Sequence, residues 1–195
     1  MRTFARLLRR DRRGAAIVEF ALCAPVLIMI LLGLFDVAYN MYASTVLHGA
    51  VQKAGRDSSI QGSVAGTLDQ RVTSSVRDVM PNAQMEFERK AYEEFSDVSR
   101  AEDFNDLNDD GVCNDNEPFE DANGNGTWDA DRAVLGQGGA RDAVLYSVTM
   151  TYPRSFPIAA YVPGLDPDFT VTATTVLRNQ PYENIGGAPA TGNCA

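Results

Sequence analysis

RRDRRGAAIVEFALCAPVLIMILLGLF, residues 9–35, decides how the rest of the chain is read. Arg2, Arg6, Arg9, Arg10, Arg12 and Arg13 stand against a single acid, Asp11, in the stretch that ends at Gly14. From Ala15 to Phe35 there are 21 residues whose only charge is Glu19. At ~1.5 Å rise per residue, a helix of that length spans roughly 30 Å, the thickness of a bilayer core. The arginines keep the N-terminus on the cytoplasmic side. A carboxylate within such a helix costs about 2–3 kcal/mol even on lenient scales, so Glu19 calls for a partner.

The run Gly14-Ala15-Ala16-Ile17-Val18-Glu19-Phe20 resembles the processing site of type IV prepilins, where a peptidase cuts after the glycine and glutamate becomes the fifth mature residue. With Phe after Glu, the context RRGAAIVEFAL resembles the TadE/TadG branch of pseudopilins from tight-adherence (Flp) pilus systems, and FTVTATTVLRNQPY, residues 169–182, resembles the TadE-type C-terminal strand. The resemblance implies cleavage between Gly14 and Ala15, with Arg12 and Arg13 marking the peptidase site. It also implies that Glu19 pairs with the new amine of Ala15 on a neighbouring subunit. Such a pair offsets part of the desolvation cost of both charges. A secretory signal would want an A-x-A site where Val37-Ala38-Tyr39-Asn40 stands, and a lipoprotein signal would want a small residue where Leu22 precedes Cys23. A plain anchor accounts for the length and the arginines but not for Glu19.

The chain has 195 residues and a net charge of −9; with five net positive charges before Gly14, the remainder carries −14. That acidity argues against nucleic-acid binding. The organisation expected is a leader over 1–14, a transmembrane helix over 15–38 and one periplasmic domain over 39–195, with the N-terminus in the cytoplasm. Beyond the anchor, Val46, Ala50 and Ala54, with Val51 beside them, continue a weak apolar stripe, and Pro25 predicts local loosening of the membrane helix. Thr67-Leu68-Asp69-Gln70 reads as a capping box, followed by a helix over 68–80 whose stripe is Leu68, Val72, Val76 and Val79 and which Pro81 stops. Three alternating sets predict strands: Ala83, Met85 and Phe87; Val144, Tyr146, Val148, Met150 and Tyr152; and Phe169, Val171, Ala173 and Thr175. Prolines 153, 157, 163 and 167 make the last connection a loop. The fold class is therefore α+β and pilin-like, a long N-terminal transmembrane helix leading into a small antiparallel sheet.

Between Arg100 and Arg132 lie eleven acids and no base. Asp106, Asn108, Asp110, Gly111, Val112, Asn114 and Glu117 occupy positions 1, 3, 5, 6, 7, 9 and 12 of an EF-hand-type calcium loop. Hard cations take side-chain oxygens from alternate residues, a backbone carbonyl at position 7 and two oxygens from a closing glutamate. Glycine at 6 permits the sharp turn. The pattern restarts with Asp121, Asn123, Asn125, Gly126, Thr127 and Asp129, but position 12 is Arg132, leaving Asp131 or Glu120 as candidate closing ligands. Glu102 to Asp106 echoes Glu117 to Asp121 in spacing. With only Pro118 and Phe119 between Glu117 and Glu120, flanking helices are excluded. The repeats resemble the calcium turns of thrombospondin type 3 and dockerin modules, and one or two Ca2+ ions are expected over residues 101–132.

Cys23 lies in the apolar run, whereas Cys113 and Cys194 lie beyond it, where an oxidising periplasm permits a bridge between them. The single histidine, His48, has no nucleophile motif beside it, so no catalytic residue and no small-molecule substrate are assigned. The expectation is a structural protein: a minor pseudopilin whose partners are other pilin-like subunits, the pilus assembly machinery and the membrane. A membrane-anchored, calcium-dependent sensor or adhesion protein is the alternative.

Overall fold

The computed structural model describes residues 14–58, 65–139, 142–178 and 190–195. The basic leader, with Arg12 and Arg13, and residues 179–182 of the C-terminal motif lie outside the described residues. Helix α1 runs from Ala15 to Ser58, and passes Pro25 without interruption. Among the described residues it is the one helix long and apolar enough to cross a membrane, and its most apolar window is unburied. Gly14 precedes it in a turn, its carbonyl accepting from the Val18 amide at 3.3 Å.

Contacts divide the chain into two units. One holds residues 14–42 with 153–169, and the other holds residues 43–152 with the remaining C-terminal part. In the first, Asp36 is 1 % exposed and receives the guanidinium of Arg154 and, at 2.9 Å, the Asn40 amide. Phe35 stacks on Phe156 with ring centroids 6.1 Å apart.

In the second unit, α1 buries Ala43, Leu47, Val51 and Ala54. Ala54 and Val51 of the expected stripe are thus in the core, whereas Val46 and Ala50 are half-buried beside it and Ala43 and Leu47 take the places expected for them. Helix α2 spans Ala65–Arg77, three residues earlier at each end than expected. Thr67 is therefore inside the helix rather than capping it. Leu68, Val72 and Val76 are buried as their spacing predicts, each contributing on the order of 1.5–3 kcal/mol. Past Arg77 the chain leaves the helix, so Met80 rather than Val79 fills the next core position.

A four-stranded antiparallel sheet follows, in the order β3 (Val134–Leu135), β1 (Gln84–Tyr92), β4 (Ala143–Pro153), β5 (Asp168–Arg178). Strand β1 meets β4 with Met85 opposite Met150, Phe87 opposite Val148 and Arg89 opposite Tyr146. All five alternating residues of β4, Val144 to Tyr152, are buried, as are Ala173 and Leu177 of β5. Strand β1 continues past its apolar alternation because Arg89 has its own place. Its guanidinium lies over the Tyr146 ring, 4.6 Å from the centroid, and pairs with Asp69 of α2, which also accepts from the Tyr146 hydroxyl at 2.6 Å. A second, two-stranded sheet joins β2 (Pro118–Asp121) to β6 (Ala190–Asn193).

Candidate functional site

The acidic segment folds as two loops sharing one backbone pattern. In the first, the Asp106 carboxylate accepts the Asp110 and Gly111 amides at 3.2 and 2.8 Å, Asn108 Oδ1 accepts Asp110 N at 2.9 Å, and Asp110 Oδ1 accepts Val112 N at 2.8 Å. In the second, Asp121 accepts Asn125 and Gly126 at 3.0 Å each, Asn123 accepts Asn125 N at 3.0 Å, and Asn125 accepts Thr127 N at 2.7 Å. Gly111 and Gly126, at position 6, have φ of 75° and 79°, the left-handed backbone for which glycine is suited. Each loop turns its residues at 3, 5 and 9 toward one another: Asn108 and Asp110 meet Asn114, and Asn123 and Asn125 meet Asp129.

Glu117 lies behind the first loop, 1 % exposed, accepting Leu107 N at 2.6 Å and Asn114 N at 3.3 Å, positions 2 and 9. The equivalent place in the second loop is held by Glu102, 2 % exposed, which accepts Ala122 N at 2.8 Å and Asp129 N at 3.0 Å, again positions 2 and 9. Neither residue expected to close the second loop takes that place. Asp131 lines the same hollow as Asn123, Asn125 and Asp129, but its carboxylate is engaged by Lys90 and Tyr92, at 3.0 Å each. Glu120 is paired with Arg132 at 2.9 Å, and Arg132 also faces Asp97 and Asp103. The hydrogen bond from Lys90 to Asp131 raises the lysine pKa, and burial followed by the same carboxylate raises that of Tyr92.

Glu102 is the residue that counting forward from Asp121 misses. The signal for it was in the echo of Glu102–Asp106 by Glu117–Asp121. Those segments run antiparallel: Phe104 bridges Phe119, Asn105 N donates to the Pro118 carbonyl at 2.9 Å, and Glu120 N donates to Asp103 at 2.8 Å. The two glutamates are thus related by an approximate two-fold. Phe104 meets Trp128 edge to face at 5.8 Å, and Phe119 is 2 % exposed, giving the pair a small apolar centre.

Cys113 and Cys194 are bonded, with Cα atoms 5.3 Å apart. Cys194 N donates to the Glu117 carbonyl at 2.8 Å, tying the C-terminus to the first loop. Cys23 is free and exposed. Among the described residues no three His, Cys, Asp or Glu side chains form a metal-holding group. The side-chain oxygens gathered in each loop are instead mixed, two aspartates and two asparagines: Asp106, Asn108, Asp110 and Asn114 in the first, and Asp121, Asn123, Asn125 and Asp129 in the second, with the carbonyl of Val112 or Thr127 at position 7. That oxygen-rich composition fits a hard cation. Glu19 is exposed on α1, four residues past Ala15, and His48 on the same helix hydrogen-bonds Ser44, its ring nitrogen 2.8 Å from the Ser44 carbonyl.

A single apolar helix leading into a small antiparallel sheet defines a membrane-anchored α+β protein of pilin-like fold. Its N-terminal segment is TadE-like: the family model described as TadE-like protein matches residues 14–56, beginning at Gly14 and covering the helix that carries Glu19. No curated protein and no solved structure matches the chain.

Proposed function

We propose that this protein is a minor pseudopilin of TadE type that helps build or prime a tight-adherence pilus at the bacterial inner membrane. The observation that carries the reading is the match beginning at Gly14, with Glu19 five residues on and helix α1 unbroken behind it. The leader stays cytoplasmic, a prepilin peptidase cuts between Gly14 and Ala15, and the sheet domain faces the periplasm. Glu19 binds the freed amine of Ala15 on another pilin-like subunit. The role is structural, with no reaction catalysed.

Mass spectrometry of the mature N-terminus tests this directly: a chain beginning at Ala15 is expected, with uncleaved precursor on replacing Gly14 by a bulky residue. A mature start beyond Tyr39 overturns it. Glu19→Ala leaves membrane insertion intact but abolishes co-purification with pilin-like subunits.

Calcium belongs to the same proposal. Asp106, Asn108, Asp110, Asn114, Glu117 and the Val112 carbonyl would hold one ion; Asp121, Asn123, Asn125, Asp129, Glu102 and the Thr127 carbonyl would hold a second. The cation would neutralise carboxylates that otherwise repel one another, stiffening the loop pair. That stiffened surface favours a second reading, a membrane-anchored calcium-dependent sensor or adhesion protein. Retention of pilus assembly when the loops are made cation-blind would separate that role from pilus building.

A further inference from the structure

We infer that the loop from Ser155 to Leu165, with the stretch of α1 from Val37 to Tyr42, forms a lipid-facing collar seated in the headgroup layer of the bilayer. This rests on the membrane-anchor reading of α1 and places the water boundary beyond Phe35, where the uncharged run ends.

By sequence the apolar surface stops at Asp36. In the folded unit, Asp36 is 1 % exposed and Asn40 6 %; Asn40 donates to Asp36, which pairs with Arg154, whose side chain is itself largely buried. What the helix presents instead is Val37, Met41 and Tyr42, each more than half exposed. The surface that begins with Leu31, Leu34 and Phe35 therefore continues without a charge for about 10 Å more, seven residues at ~1.5 Å. That increment is enough to cross one headgroup layer, roughly 5–8 Å thick.

The loop adds to the same surface. Phe156 stacks on Phe35, fixing the loop at the end of the apolar run. From Ser155 to Leu165 there is no charged residue, in a chain that is 22 % charged. Tyr161 and Val162 are exposed at its tip, whereas Ile158 turns inward. Tyrosine, with an apolar ring and a polar hydroxyl, suits the boundary between lipid and water. The loop also satisfies much of its own backbone, as a segment leaving water must. Tyr161 and Val162 amides donate to the Ile158 carbonyl, Leu165 to Val162, and Arg154 to Pro167, at 2.9–3.2 Å. The Arg154 guanidinium, ion-paired to Asp36, donates through Nε to the Asp166 carbonyl and faces the Phe169 ring, so its charge does not oppose entry into the interface.

The test places a nitroxide on single cysteines, in the full chain with Cys23→Ser and the native disulfide retained, reconstituted in phosphatidylethanolamine–phosphatidylglycerol vesicles. Labels at Tyr161→Cys and Val162→Cys are compared with Leu27→Cys in the apolar run and Leu135→Cys on the sheet domain. Collision with oxygen, which partitions into lipid, is measured against collision with a water-soluble nickel chelate. The oxygen-to-nickel ratio at 161 and 162 is expected several-fold above that at 135 and below that at 27. A ratio equal to that at 135, with 27 still lipid-exposed, overturns the collar and leaves the anchor standing. Low access to both reagents also overturns it, since protein rather than lipid would cover the loop. If 27 itself is aqueous, the anchor reading fails first.

Discussion

The two acidic loops make the same hydrogen bonds from different connectivity. The first closes on Glu117, eleven residues downstream of Asp106, whereas the second closes on Glu102, nineteen residues upstream of Asp121. A short antiparallel pairing through Phe104 and Phe119 brings each glutamate behind its own loop. The lesson is that a ligand-like position belongs to a place in space, and sequence order is only one way to fill it. The first loop is also covalently tied through Cys113, and it carries Asp109 at a position where the second carries Gly124.

The covalent tie gives the largest contrast. Replacing Cys113 and Cys194 together with serine opens a bridge between residues 81 apart, for which chain entropy predicts a loss of about 2–5 kcal/mol. Limited proteolysis should then nick the first loop well before the second; equal nicking would show that the bridge does not distinguish them.

Calcium titration probes the shared closure. One ion bound to the native state alone, at a hundredfold excess over Kd, stabilises it by about 2.7 kcal/mol. Glu117→Gln and Glu102→Gln should each remove one calorimetric binding event and a comparable share of the calcium-dependent rise in Tm. If Glu102→Gln leaves the stoichiometry untouched, upstream closure of the second loop is wrong. Magnesium should substitute poorly, since it demands a tighter octahedron.

Position 4 allows a finer comparison. Asp109 and Gly124 both have positive φ, 60° and 73°, and a Cβ at Gly124 would meet nothing within 4 Å, so backbone conformation alone sets the cost. Asp109→Gly should therefore be neutral or stabilising by up to about 1 kcal/mol, and Gly124→Ala destabilising by about 1 kcal/mol, in thermal melts.

Acid response gives the smallest contrast. Asp110 is held below the usual carboxylate range by the Asn114 side chain and then the Val112 amide, whereas Asn125, its counterpart, does not titrate. A depressed folded pKa contributes stability above the ordinary value near 3.8 that is lost as pH falls through the folded value. Asp110→Asn should remove that small component of the first loop's acid sensitivity, followed by the chemical shifts of Gly111 and Val112. Because Asp110 is exposed, an unchanged global Tm is expected.

Sheet and anchor were legible for different reasons. Period two in Val144–Tyr152 and an uncharged run of membrane length are local signals, and both survive folding. The α1 stripe was right at Val51 and Ala54 but one residue off in the turns before them, where Ala43 and Leu47 are buried instead of Val46 and Ala50, because small residues on either side make the pattern weak. Strand β1 was read short because Arg89 interrupts its alternation, and nothing local announces that Asp69 and Tyr146 await it. The repeat of two acidic turns was legible from the spacing of Asp, Asn and Gly, but the glutamate behind the second turn was not. Its proximity depends on a strand pairing between two copies of the repeat, and forward counting reaches Arg132 instead. Burial of Asp36 was likewise invisible, since Arg154 lies 118 residues away.

The chain departs from the sheet after Tyr92 and rejoins it at Val134, which sits opposite Ala91 on the neighbouring strand. Further out, Arg132 N meets the Arg100 carbonyl and Glu102 N meets Asp129, so the excursion leaves and returns at adjoining points. Such a segment is interchangeable: a lineage can graft, shorten or discard it as a unit while a tight turn restores the sheet. Among the described residues, the excursion is fastened outside that entrance by strand β6 and by the bridge to Cys194. A relative that has shed the excursion would have no use for Cys194, and gain or loss of that final cysteine should travel with the graft.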